Sequence, residues 1–366
     1  MHAAEEMAPF LIARRLLHER RIVDGDVQVT DCSRRNRNFK IAVAGGDGFL
    51  VKQAMEARTR RWVAQEAAAY RFLYSAPDLA SFTRYLPRFY EFDDRAGILV
   101  LGLLENSSTV TEHRRRRGRV SARVAGAMGN AVGQLHRFTR LSQGHGTPGW
   151  TFGRATEFLT FHRPNLAAFV GLSRASAQLI ATIQESEVFC AQLDALRAAW
   201  REDSLIHGDL RWDNWHVLEM RNGGGPDLKI VDWEMAGTGD PCWDVGCILC
   251  EYLLAWLRSA PIATDVDPDH FMCLSTFPLS TMQPAIRRFW QSYVRVMELD
   301  APTAGEWLVR STRFAAARLV QAAFEDAQHA TELSDPTIYL LQLSTNMLAR
   351  PVDAAARLYG LIVAEQ

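Results

Sequence analysis

The sequence predicts an α+β fold in two parts, a small β-rich N-terminal part and a large, mostly helical C-terminal part. Three observations predict it. Apolar segments of strand length crowd the stretch before residue 102, a single helical segment interrupts them, and helical periodicity dominates after residue 104. The expected division is 1–104 and 105–366, with a linker near residues 102–106.

Residues 1–20 read as a short amphipathic helix, with Leu11, Leu16 and Leu17 on one side and Arg14, Arg15 and Arg20 interspersed. Strands follow at 27–30 and 39–43, separated by the polar run 31–38. Gly45-Gly46-Asp47-Gly48 reads as a turn and 49–52 as a third strand. Residues 59–73 read as a helix with Thr59 as N-cap and an apolar face of Trp62, Val63, Ala67, Tyr70 and Leu73. Segments 89–92 and 98–101 form a hairpin about the turn 93–97. Beyond the linker, 124–138 and 175–201 read as long helices and a short strand precedes His207. Segments 215–220 and 228–231 read as a hairpin closed by Asn222-Gly223-Gly224-Gly225-Pro226, and everything from Asp244 onward reads as helical. This plan of two parts joined by a linker predicts an active site in a cleft.

A length of 366 residues supports sizeable cores, and 48% hydrophobic with 23% charged residues is ordinary for a globular protein. A net charge of -1 offers no attraction for nucleic acid or a membrane surface. The N-terminus carries Glu5, Glu6 and Arg14 among its apolar residues, unlike a signal peptide, and the apolar run 245–256 is too short to span a bilayer and contains Glu251. The expected location is cytoplasmic. Cys242, Cys247 and Cys250 have ligand-like spacing, but the apolar residues between them read as a buried helix and no fourth ligand is near.

The chemistry concentrates in His207-Gly208-Asp209-Leu210-Arg211-Trp212-Asp213-Asn214 and in Ile230-Val231-Asp232-Trp233-Glu234. A carboxylate, an Asn five residues on and a second Asp at the end of an apolar strand are what a phosphoryl-transfer site needs. Asp209 would take or orient the proton of an attacking hydroxyl, and Asn214 with Asp232 would hold magnesium by hard oxygen ligands. Loops use Asp and Asn for turns and caps as well, but that use leaves the joint spacing unexplained. Arg211 is placed to neutralise charge on the transferring phosphoryl group, or to pair with Asp213. Lys52 ends an apolar strand fourteen residues before Glu66, which suits a phosphate-binding lysine held by a helix glutamate. Lysine is scarce here, only Lys40, Lys52 and Lys229, which weighs against a merely solvated Lys52, whereas Lys229 should point to solvent.

The run 33–38 lies where a phosphate-covering loop would lie, yet has no glycine. Ser33 could contact phosphate and Arg34, Arg35 or Arg37 could add charge, or the run is a solvated basic turn. Asp244 and Asp240, after the turn Gly239-Asp240-Pro241, read as bracing and capping groups, and Glu234 as a neighbour of the metal ligand. His136 and His216 read as locally bonded. The run Arg114-Arg115-Arg116-Arg117 with Arg119 reads as a solvated face or as a docking patch for an acidic peptide or nucleic acid; with no aromatic residues interleaved, single-strand binding is not expected.

Taken together, His207-Gly208-Asp209 with Asn214, Asp232-Trp233-Glu234, Gly239-Asp240-Pro241 with Asp244, Lys52 with Glu66, and Leu135-His136 resemble the aminoglycoside phosphotransferase and choline kinase-like family. The resemblance covers roughly residues 27–250. It implies a bilobal, protein-kinase-like fold, ATP or GTP with Mg2+, a nucleotide held by the linker backbone at Gly102, Leu103 and Leu104, and supporting roles for His207 and Asp244. Arg211 stands where many drug-modifying members carry histidine, and the C-terminal third has only a slight acidic excess, unlike clefts for polycations. With Ser33-Arg34-Arg35-Asn36 and the Arg114 cluster, this resembles the kinase-like enzymes of ribosomal-peptide (thioamitide and class V lanthipeptide) pathways. The expected acceptor is then a Ser or Thr of a precursor peptide, with a partner lyase removing the phosphate. The alternatives are an aminoglycoside, another antibiotic or a hydroxylated metabolite as acceptor, or a non-catalytic kinase-like module that binds a peptide or partner. No nucleic acid and no membrane are expected as partners.

Overall fold

The computed structural model of the protein describes residues 4–33, 36–140, 158–164, 171–218, 226–261 and 274–362. In chain order the elements are α1 Ala4–Ala13, α2 Glu19–Val23, β1 Val27–Asp31, β2 Arg37–Val43, β3 Phe49–Gln53, α3 Ala57–Ser75, β4 Phe89–Asp93, β5 Ile98–Gly102 and β6 Ser107–Thr109. They continue with α4 Val110–Arg117, α5 Ala122–Phe138, α6 Arg174–Gln184, α7 Glu187–Ala198, β7 Ser204–Ile206, β8 Trp215–Leu218, β9 Asp227–Ile230 and β10 Gly237–Gly239. The remaining helices are α8 Pro241–Leu257, α9 Leu279–Met297, α10 Ala301–Ala327, α11 Asp335–Ala349 and α12 Pro351–Ala354. A small antiparallel sheet region followed by a largely helical part is the architecture the sequence predicts. No described helix is long and apolar enough to cross a membrane.

The chain divides into two compact units, one of residues 1–109 with 214–236 and the other of 110–213 with 237–366. The first unit extends past residue 104 and takes in 214–236 because β6 pairs antiparallel with β8, which pairs antiparallel with β9. Its main sheet has the order β1-β2-β3-β5-β4, every neighbour antiparallel. Alternation along the strands gives this sheet two different faces. Phe39, Ile41, Phe49, Val51, Ile98 and Val100 pack with Met7 and Leu11 of α1. Lys52, paired in register with Leu99 of β5, belongs to the other set of strand positions, and α3 packs on the sheet.

Local chemistry moves several boundaries. The N-terminal helix stops at Ala13, and a second short helix starts at Glu19 after His18, whose ring accepts from the Arg20 N–H. Thr59 is not the N-cap of α3. Glu56 is, and Thr59 sits inside the first turn, its hydroxyl accepting from Glu56 N at 3.0 Å and Met55 N at 3.1 Å. The single helix expected over 175–201 is broken, because the Ser186 hydroxyl accepts from Phe189 N and starts α7 afresh. The glycine-rich turn expected at 222–226 lies outside the described residues except for Pro226.

The second unit is built on helix pairs. α5 lies close to α9: a Cβ on Gly129 would come within 2.2 Å of the Phe289 carbonyl oxygen. α8 packs on α10, where Gly246 faces Phe314 and Ala315. Asp240 caps α8, its carboxylate accepting from Cys242 N, and Pro241 fills the first helical position. Cys242, Cys247 and Cys250 are buried in α8, where burial pushes all three thiols up and keeps them protonated.

Candidate active site

In the first unit β3 delivers Lys52 and the middle of α3 delivers Glu66. Lys52 Nζ donates to both Glu66 carboxylate oxygens at 2.8 Å and to Asp232 Oδ1 at 2.9 Å. Glu66 is 1% exposed, whereas the Asp232 side chain is 39% exposed. Burial works against the charge of Lys52, but the nearby Asp232 and Glu66 carboxylates outweigh it, so its pKa is raised and the ammonium persists. Glu66 is also pushed upward, first by burial and further by Asp232, although Lys52 pulls the other way. One cation thus serves two carboxylates, of which Asp232 is the more exposed, and an accessible carboxylate oxygen is the kind of ligand that magnesium takes.

Asp232 and Asn214 are brought together by strand register. β8 and β9 pair with Trp215 opposite Ile230, and Val231 N donates to the Asn214 carbonyl at 3.0 Å, so both residues emerge at one end of the ribbon. Asp232 turns the chain with a φ of +68°, left-handed geometry that Asp tolerates better than most residues. The turn is held on its far side: Trp233 is fully buried with Nε1 donating to the Ile230 carbonyl, and Gln65 of α3 donates to the Ala236 carbonyl at 3.0 Å. Among the described residues no group of three or more His, Cys, Asp or Glu is arranged to hold a metal ion by itself. An Asn and an Asp fit magnesium, which keeps water and phosphate in its remaining positions, and fit poorly a metal needing a closed protein shell.

In the second unit the loop bearing Asp209 is suspended from α8. Asp244 is fully buried, and its oxygens accept from His207 N at 2.7 Å, Gly208 N at 2.9 Å and the His136 ring at 3.2 Å. Gly208, at a φ of +83°, makes the bend, and its carbonyl accepts from Trp243 Nε1 at 2.9 Å. Two helical turns beyond Asp244, Glu251 accepts from Trp212 N at 3.0 Å. One face of α8 therefore grips the loop on both sides of Asp209.

Arg211 does not pair with Asp213. Its Nε lies 3.0 Å from the Asp209 carboxylate and its Nη2 lies 3.1 Å from Glu325 Oε1. Sequence reasoning missed Glu325 and its neighbour Arg318, both on α10. Arg318 is 3% exposed; its Nη2 donates to Asp209 Oδ1 at 3.3 Å and its Nη1 to Glu325 Oε1 at 3.1 Å. Burial disfavours the charge of both guanidinium groups, but Asp209 and Glu325 more than compensate and raise both pKa values. Glu251 was also missed; its distance of seven residues from Asp244 was the available signal.

The remaining expected groups fall into place locally. Ser33 closes its own loop, its N–H donating to Asp31 Oδ1 at 2.8 Å and its hydroxyl accepting from Asn38 N at 3.1 Å. Ser33, through its hydroxyl first and then its N–H, holds the Asp31 pKa below its ordinary value. Contact between Ser33 and a phosphate would have to exchange these bonds. Arg34 and Arg35 lie outside the described residues. In the linker, Gly102 N donates to the Arg88 carbonyl, Leu103 N to the Gly48 carbonyl, and the Leu104 carbonyl accepts from Ser107. His216 bonds Ser107, and His136 bonds Tyr293 as well as Asp244. Lys229, expected in solvent, is half-buried and donates to the Arg84 carbonyl at 2.6 Å. Arg114 leaves the expected basic face: it is buried, with its guanidinium 4.1 Å from the Phe277 ring centroid, while Arg115, Arg116, Arg117 and Arg119 are exposed.

The sequence pattern of the phosphotransferase enzyme family matches residues 32–267, well over half the chain. No curated protein matches. Among solved structures, choline kinase from Cryptosporidium parvum Iowa II is similar at a TM-score of 0.60 and 11% identity, over 97% of this chain and 98% of that one. A choline/ethanolamine kinase family protein from Mesorhizobium loti is similar at a TM-score of 0.50 and 15% identity, over 93% and 95%. At these identities the likeness is one of fold, and the fold is the kinase-like one.

Proposed function

Because the chain belongs to the phosphotransferase enzyme family, we propose that it transfers the γ-phosphoryl group of ATP, with magnesium, to a hydroxyl of an uncharged or anionic small molecule. The observation that carries this reading is the buried Lys52 ammonium bonded to both Glu66 and Asp232. In this reading Lys52, held by Glu66, binds nucleotide phosphate. Asn214 and Asp232 would hold the metal ion, which supplies charge neutralisation when bound. The linker backbone at Gly102, Leu103 and Leu104 receives the base, with Leu104 N–H making no bond among the described residues; GTP would leave the phosphate-binding roles unchanged.

Asp209 accepts the proton of the acceptor hydroxyl as its oxygen bonds to phosphorus, while the bond from phosphorus to the β,γ-bridging oxygen breaks and its electron pair leaves with ADP. Arg211 offsets charge on the transferring group. His207 and Asp244 act through the loop backbone. The acceptor class is argued from charge: Asp209 and Glu325 are each already bonded by both Arg211 and Arg318, so these two carboxylates are engaged by cations of the protein rather than open to a polycation. The test is magnesium-dependent ADP formation with a panel of neutral polyols, hydroxy acids and aminoglycosides. Turnover should favour the first two and disappear in Asp209→Asn and Asp232→Asn. Preference for an aminoglycoside overturns the acceptor class; full activity in Asp209→Asn overturns the base.

A second reading keeps the same machinery with a peptide Ser or Thr as acceptor, ahead of a partner lyase. It is favoured by the exposed Arg115, Arg116, Arg117 and Arg119, which suit an acidic segment. Phosphate incorporation into acidic Ser-containing peptides, lost on reversing those four charges, would select it.

A further inference from the structure

α10 carries a buried arginine and a half-buried glutamate, Arg318 and Glu325, that no sequence motif announces. Asp209, Arg211, Glu325 and Arg318 form a closed ring of alternating charge: Arg211 bridges Asp209 to Glu325 on one side, and Arg318 bridges the same two carboxylates on the other. Gln321 completes the arrangement, its Nε2 donating to Glu325 Oε1 at 3.0 Å. Arg318, Gln321 and Glu325 recur at helical spacing on one face of α10, so one rigid element presents all three.

The two arginines differ in access. The Arg211 side chain is 32% exposed and sits on the same loop as Asp209, so it is able to meet a ligand. The Arg318 side chain is 4% exposed and both of its terminal nitrogens are committed to the ring. A guanidinium this buried is costly unless its partners stay in place, so the ring holds its geometry or breaks as a whole.

We infer that Arg318 is the positioning residue for Asp209, with Glu325 as its counter-anchor, fixing the orientation in which the Asp209 carboxylate meets the acceptor hydroxyl. The inference rests on the reading of Asp209 as the base. A carboxylate held only by its own loop turns about its side-chain bonds. Here an atom of α10 bonds Oδ1, so its orientation is set by the helix as well as by the loop. Misplacing a reacting group by about 1 Å costs roughly 100-fold in rate.

The experiment measures magnesium-dependent ATP hydrolysis, with water as the acceptor, in wild type, Asp209→Asn, Arg318→Lys, the double variant Arg318→Met/Glu325→Gln, and the triple variant that adds Asp209→Asn. The double variant removes the buried Arg318 charge together with that of its half-buried partner Glu325, so neither is left unpaired. Expected results are a fall of about 100-fold in kcat for the double variant with KM for ATP unchanged, a smaller fall for Arg318→Lys, and no further fall in the triple variant beyond Asp209→Asn. The absence of a further fall is the signature of action through Asp209. A wild-type rate in the double variant, or an equal fall with and without Asp209, overturns the positioning role while the base stands. A wild-type rate in Asp209→Asn instead removes the base itself, so the two failures are distinguishable.

Discussion

Asp232 adopts a φ of +68° and places Oδ1 2.9 Å from Lys52 Nζ, a lysine already bonded to both oxygens of Glu66. The chain thus accepts an unfavourable backbone geometry, a cost to stability that the fold carries for the carboxylate at that position.

Asp232→Gly removes that cost, since glycine takes the left-handed geometry freely, while Glu66 still holds Lys52 through both of its oxygens. The backbone relief of about 1 kcal/mol offsets loss of the Lys52–Asp232 pair, so the melting temperature should hold while phosphotransfer is lost. A thermal melt alongside an ATP-consumption assay checks it; a large drop in melting temperature would count against this reading of the site.

Lys52→Met does the opposite. It strands Glu66 beside Asp232 without a cation, and the expected loss is about 3–5 kcal/mol by chemical denaturation. Adding Glu66→Gln should return most of that stability without returning activity.

Asp244→Asn keeps the shape but offers one acceptor oxygen to two buried N–H groups, those of His207 and Gly208. The expected cost is about 1–3 kcal/mol. Because the bonds lost are those of the Asp209 loop, kcat should fall more steeply than the fraction folded, as read from activity and circular dichroism on the same samples.

Gly129→Ala should be among the most destabilising single-methyl additions in the chain, since the new Cβ would lie 2.2 Å from a carbonyl oxygen of α9. Overpacking of this kind costs about 1–3 kcal/mol or more. The Asp209 loop is untouched, so activity per folded molecule should be retained at low temperature.

Glu325 gives a pH prediction. Burial raises its pKa, but Arg318 and Arg211 more than reverse this and hold it below the ordinary value of 4.5. Its ionised form therefore contributes stability that is full above pH 4.5 and is lost as pH falls through the lower folded value. The melting-temperature gap between wild type and Glu325→Gln should be constant from neutral pH down to about 5 and then close. A gap that widens in acid would reverse the sign of the shift.

What the sequence makes legible is what lies close along it. Lys52 and Glu66 are a strand end and the next helix, and Asn214 and Asp232 are the two ends of one hairpin, so spacing alone marks them. The two-part plan follows from the change in periodicity after residue 104, and the kinase-like fold is what the family resemblance carried by that spacing implies. Arg318 and Glu325 are not legible, because more than a hundred residues separate them from Asp209 and α10 carries other arginines at Arg310 and Arg313. The pairing of Arg211 with Glu325 rather than Asp213 is hidden for the same reason. The N-cap of α3 escapes because Glu56 and Thr59 occupy each other's usual places in a capping box, and the break at Ser186 because periodicity continues across it.

The grip of α8 on the Asp209 loop makes that helix a ruler. Its two marks, Asp244 and Glu251, must stay two turns apart for His207, Gly208 and Trp212 all to find their acceptors. Inserting or deleting one residue between the marks would swing one of them about 100° around the axis. The stretch can therefore change its letters but not its count, and its length is as much a part of the site as any side chain on it.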